Sequence, residues 1–186
     1  MNIIDNEKAW SYLYDINTKA ENTSTLKQQT TDDSIIDLSI HFMVNQYNFI
    51  INKKYIDLIT AAPKITIIPQ QNEYIRGIAS IQSSLVVIID FKYLLLSTPT
   101  KLNDKSRIIL LNIDNAPIAL LVDNICGKLQ LDQHLSKYDL TNNPPLELIS
   151  EFIDEAYSYD NNTLYNLNVD QLLTSKKFHP SYNEGL

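Results

Sequence analysis

The chain has 186 residues, of which 44% are apolar and 20% charged, and a formal net charge of −7. That is enough apolar content for one domain, or two small subdomains sharing a core, and it excludes a disordered chain. Lysine and arginine are scattered rather than clustered, so no nucleic acid and no anionic membrane surface is expected as a partner.

No apolar run reaches the roughly 18 residues that a membrane span needs, so no membrane insertion is expected. The start, MNIIDNEKAW, lacks a basic region followed by an apolar stretch and does not read as a secretory signal. Cys126 is the single cysteine, which rules out an intrachain disulfide. Together these point to the cytoplasm. With three glycines in all, Asn and Asp must supply many of the turns, as at Asn45, Asp114-Asn115 and Asn161-Asn162.

Residues 6–21 read as a helix with Trp10, Leu13, Tyr14 and Asn17 on one face, and residues 22–34 read as a polar linker. From residue 35 onward a second unit is expected. Its first strand alternates Ile36, Leu38, Ile40, Phe42 and Val44 with polar neighbours. Asn45-Gln46 turns it, and Tyr47, Phe49 and Ile51 return. A third short strand covers Ile56 to Thr60, and Pro63 and Pro69 bracket a loop containing Ile65, Ile67 and Ile68.

The stretch from Ile75 to Leu96 is the densest. Arg76-Gly77 opens a strand, Gln82-Ser83-Ser84 makes a tight turn, and Leu85–Ile89 is apolar on both faces. Asp90 then caps a short helix with Phe91, Leu94 and Leu95 at helical spacing. That strand is expected at the centre of the core. Arg107–Ile113 and Ile118–Ile125 form an interior hairpin, and Gly127 bends the chain into a further short strand up to Leu131. Residues 132–151 are loop-rich, with a helical turn near Leu148. Phe152–Tyr159 and Thr163–Leu167 pair across Asp160-Asn161-Asn162. Asn168 caps a last helix in a capping-box pattern with Gln171, burying Leu172-Leu173. A mobile tail is expected from Ser175. Many short strands joined by tight turns predict a mostly-β fold, with repeated hairpins favouring two small barrels around one core.

The chemistry-bearing residues do not assemble into a catalytic motif. His41, His134 and His179 are far apart, and none has a Cys or His at ligand spacing. No phosphate-binding glycine loop, nucleophile elbow or zinc-protease motif occurs, so no cofactor and no enzyme activity is expected. Cys126 between apolar residues reads as a buried, inert thiol. Asp90 and Asp123 read as a helix cap and a turn partner rather than paired catalytic carboxylates. Arg76 is either a solvated edge charge or a planar donor fork on a recognition surface.

Tyr74-Ile75-Arg76-Gly77-Ile78, Val87-Ile88-Ile89-Asp90-Phe91, Arg107-Ile108-Ile109-Leu110, Leu120-Leu121-Val122-Asp123-Asn124-Ile125 and Asn166-Leu167-Asn168-Val169-Asp170 follow one another in an order that resembles the CheW-like domain of bacterial chemotaxis. The resemblance covers roughly residues 36–174. It implies two five-stranded SH3-like barrels sharing a hydrophobic core, and a non-enzymatic adaptor that couples a methyl-accepting chemotaxis receptor to a CheA-type histidine kinase. The leading helix, linker and tail are similar to the PilI-like branch, which controls twitching motility and type IV pili. The resemblance also implies protein-binding roles for Arg76, Gly77, Gln82 and Ser83. Where such domains usually carry a second Arg-Gly pair, this chain has Gln82-Ser83, and a frequent proline is replaced by Val87. A neutral amide lacks the arginine's charge and fork, so the alternative expectation is a structural component of a polar or pilus-associated assembly that has lost receptor–kinase coupling.

Overall fold

A computed structural model describes residues 38–69, 72–113, 117–131, 135–140 and 150–175. The expected helix at 6–21, the linker at 22–34, the turn at Asp114-Asn115-Ala116, the helical turn near Leu148, His134, His179 and the tail beyond Ser175 lie outside the described residues.

The chain is mostly β and forms two sheets. Strands β1 (Leu38–Val44), β2 (Tyr47–Asn52), β8 (Asn124–Gln130), β9 (Ser136–Lys137), β10 (Ile153–Tyr159) and β11 (Asn162–Leu167) form one, in the order β8-β1-β2-β11-β10-β9. Strands β3 (Ile56–Ala61), β4 (Ile75–Ile81), β5 (Ser84–Asp90), β6 (Arg107–Leu111) and β7 (Ile118–Val122) form the other, in the order β3-β6-β7-β5-β4. The sheets hold six and five strands rather than five each, because the two-residue β9 adds to the edge of β10. Among the described residues, the short α-helices α1 (Phe91–Leu96) and α2 (Val169–Thr174) sit at the ends of strands.

The alternation in β1 buries Ile40, Phe42 and Val44 against Phe49 and Ile51 of β2. Phe42 stacks on Phe49 with centroids 5.5 Å apart, and Phe91 at the start of α1 closes on Phe49 at 5.4 Å. This aromatic group joins the helix that follows the five-stranded sheet to the six-stranded one. Ile89, Ile109, Leu111, Ile118, Leu120 and Val122 complete the same cluster from the other sheet, so the core is shared. A second cluster, including Ile81, Val86, Ile88, Leu110 and Leu121, covers the opposite face of the five-stranded sheet. Ser39, expected on the polar side of β1, is fully buried, as is Ile50 on β2, so the six-stranded sheet is covered on both sides at that point.

The structure moves the organising strand. All five residues of β7 are buried, alternating between the two clusters, and β7 is the middle strand of its sheet. β5 is its parallel neighbour, and the run expected to be wholly interior begins with Leu85 at 64% exposed. The run Ile118–Ile125 is also divided. β7 ends at Val122, Asp123 crosses between the sheets, and Asn124-Ile125 begin β8 beside β1. The crossing is pinned where the Asp123 N–H donates to Met43 O at 3.1 Å and its Oδ2 accepts from the Asn45 N–H at 2.6 Å. Lys92 Nζ lies 3.7 Å from the same carboxylate.

Gly127 therefore lies inside β8 rather than before a new strand. A register shift leaves Cys126 opposite no residue of β1, and as an outward-facing position on an edge strand it is exposed, not buried. Desolvation by neighbouring atoms still pushes its thiol above the ordinary pKa.

Candidate functional site

The four residues expected to bind a partner all belong to the β4–β5 hairpin, yet they fall in two places. Arg76-Gly77 open β4 and Gln82-Ser83 form the two-residue loop at its far end, where Ile81 pairs with Ser84. Six residue steps of extended chain lead from Arg76 to Gln82, roughly 20 Å at the strand rise.

The first place is built around Asp90. Its side chain is 1% exposed and collects four groups. Oδ1 accepts from the Tyr93 N–H at 3.1 Å, capping α1, and from Thr100 Oγ1 at 2.8 Å. Oδ2 accepts from the Thr100 N–H at 2.8 Å, and Arg76 Nη1 stands 3.8 Å away. The sequence showed the cap but not the tie to Thr100, which fastens the loop after α1 to the end of β5. Arg76 reaches this carboxylate because the β4–β5 register shifts between Ile75 and Gly77, leaving Arg76 as the extra residue of a bulge. It is one-third exposed, so it compensates a buried charge at one end and meets solvent at the other. The solvated-edge and recognition readings both omit that structural duty.

Gly77 has an equally local reason. Its φ is +139°, and a Cβ there would lie 2.2 Å from Thr66 O. Thr66 exchanges two backbone hydrogen bonds with Ile78, at 2.8 and 2.9 Å, and so covers the open edge of β4. Beside this place, Tyr93 hydroxyl donates to Glu73, and burial pushes the Tyr74 hydroxyl up to about 12.

At the second place, Gln82 (φ +49°) and Ser83 (φ +67°) make a hairpin turn with both residues in the left-handed region, which Asn-Gly pairs usually fill. Asp160 and Asn161 do the same between β10 and β11 with better-suited residues. Gln82 lines a surface cleft of about 340 Å³ together with Asp57 and Asn112, over a floor of Ile81, Val86 and Leu110. Asp57 is a residue the sequence reading missed. It interrupts the apolar run Ile56-Asp57-Leu58-Ile59, and the β3–β6 register shifts around it.

His41 Nε2 donates to Asn48 Oδ1 at 3.0 Å, so its ring is held within the sheet. Among the described residues no group of three His, Cys, Asp or Glu is placed to hold a metal ion. No helix of these residues is long and apolar enough to cross a membrane.

Residues 39–177 match the CheW-like domain. The chain belongs to the CheW-like family. The match takes in all of β2–β11 and all of β1 but its first residue, Leu38. The fold is similar to the crystal structure of the scaffolding protein TtCheW from Thermoanaerobacter tengcongensis, with a TM-score of 0.63 and 19% identity over 77% of this chain and 91% of that one. No curated protein sequence matches the chain. CheW-like scaffold proteins are non-enzymatic adaptors.

Proposed function

We propose that this CheW-like chain is a cytoplasmic signalling adaptor that couples methyl-accepting receptors to a CheA-type histidine kinase, recruited to receptor arrays or the cell pole. The observation that carries the reading is the CheW-like match over residues 39–177, together with two sheets around one shared core. CheW-like domains generally bind CheA kinases and chemoreceptors. The likeness of residues 6–34 and the tail to the PilI-like branch supports a pathway controlling type IV pili and twitching motility. In this reading Arg76 and Gln82-Ser83 contact partners at opposite ends of β4, a few apolar anchors carry the affinity, and polar groups set register.

A second reading is a structural component of the same assemblies without coupling. The Gln82-Ser83 turn favours it, because a two-residue turn with both residues at positive φ here holds neither an arginine nor a glycine. Reconstituted receptor, kinase and adaptor separate the two. Adaptor-dependent kinase activity with the native chain supports coupling. Gln82→Arg with Ser83→Gly adds a charged donor fork, and activity that emerges only in this variant, with affinity rising roughly tenfold, supports the structural reading instead.

A further inference from the structure

The cleft at the end of the β4–β5 hairpin has a composition that selects its occupant. Its floor is apolar, from Ile81, Val86 and Leu110, and its rim is polar, from Asp57, Gln82 and Asn112. Among the described residues that line it, Asp57 carries the only formal charge. Asp57 is the extra residue of a bulge, since Ile56 pairs with Leu111 and Leu58 with Leu110, and bulges re-aim a side chain that regular pairing would place elsewhere. The nearest cations in sequence do not enter: Lys54 Nζ sits 4.7 Å from the centroid of the Tyr55 ring, and neither Lys53 nor Lys54 lines the cleft. Asn112 donates from Nδ2 to Lys54 O at 3.3 Å, which leaves its side-chain oxygen as an acceptor at the rim.

We infer that this cleft receives a basic side chain, a lysine or arginine next to an apolar residue, from a partner protein. The apolar residue covers the floor and the cation meets Asp57, with Gln82 and Asn112 supplying neutral hydrogen-bonding groups. A wholly apolar anchor would desolvate Asp57 without compensation, and an acidic one would meet a like charge. The inference names the chemistry of the partner surface and rests on the adaptor reading only for the occupant being a protein.

The test is an NMR titration of the isotope-labelled full chain with acetyl-Leu-Arg-amide, acetyl-Leu-Gln-amide and acetyl-Leu-Glu-amide. The arginine peptide is expected to give saturable shifts at the amides of Asp57, Gln82 and Asn112. The glutamine peptide should bind about threefold more weakly, as the loss of an exposed ion pair allows, and the glutamate peptide more weakly still. In Asp57→Asn the arginine and glutamine peptides should become equal; Asp57 is exposed and its replacement removes no packing, so this variant keeps the fold. Equal binding of all three peptides to the native chain, a preference that survives Asp57→Asn, or no saturable shift at all would overturn the inference. Kinase capture is measured in parallel. Capture without peptide selectivity removes the cleft proposal alone, and selectivity without capture removes the adaptor reading alone.

Discussion

Asp90→Ala is expected to lower the unfolding free energy by about 3–5 kcal/mol, read as a shift of the urea midpoint at unchanged slope. The substitution removes one buried carboxylate and strands several groups at once. The Tyr93 N–H loses its cap, the N–H and hydroxyl of Thr100 lose their acceptor in a site 1% exposed, and Arg76 loses the charge it faces. Each unsatisfied buried donor costs on the order of 1–3 kcal/mol, which is why the sum exceeds the effect of a helix cap alone. Arg76→Ala is expected to cost less, because Arg76 is one-third exposed and Asp90 keeps three hydrogen bonds without it. A loss below about 1 kcal/mol for Asp90→Ala, the size of a simple cap, would mean that the tie to Thr100 carries no weight.

Gly77→Ala is expected to cost about 2–4 kcal/mol, from a strained backbone and a direct clash. The methyl group would sit 2.2 Å from Thr66 O and 3.0 Å from Ile65 Cγ2, so the segment covering β4 must move away. Thermal unfolding reads the loss, and faster amide exchange at Thr66 and Ile78 locates it. Gly127→Ala is the control. Gly127 also has a positive φ, +155°, but an added Cβ there meets nothing within 4 Å, so the cost is expected to be about 1 kcal/mol. Equal losses at the two glycines would show that the close approach of Thr66 does not matter.

These two residues also show what a sequence can and cannot disclose. Asp90 and Asn168 were legible as caps because a cap is a relation between residues three apart, and both side chains do accept from the N–H three residues on. The turns at Asn45 and at Asp160-Asn161 were legible for the same reason. The alternation of β1 disclosed which side faces the core. Bulges were not legible, because a bulge is defined by the register of a partner strand far away in the chain. Arg76, Asp57 and Cys126 each sit at one, against β5, β6 and β1 respectively, and each points somewhere that its own neighbours do not determine. The division at Asp123 was hidden similarly, since it depends on Met43 and Asn45. Half of the candidate site followed from the Arg76-Gly77 and Gln82-Ser83 pairs. The rest depended on knowing that these pairs lie at opposite ends of one strand, beside Asp90 and Asp57.

A CheW-like adaptor works by holding other signalling proteins together. A pull-down from native lysate with the full chain, identified by mass spectrometry and repeated with Asp57→Lys and Gln82→Glu, tests it most directly. Capture of a CheA-type kinase or a methyl-accepting receptor is expected, with lower recovery in at least one of these exposed-surface variants while thermal stability is unchanged. Capture of pilus or polar-scaffold proteins with no kinase and no receptor, equal for all three forms, would contradict it.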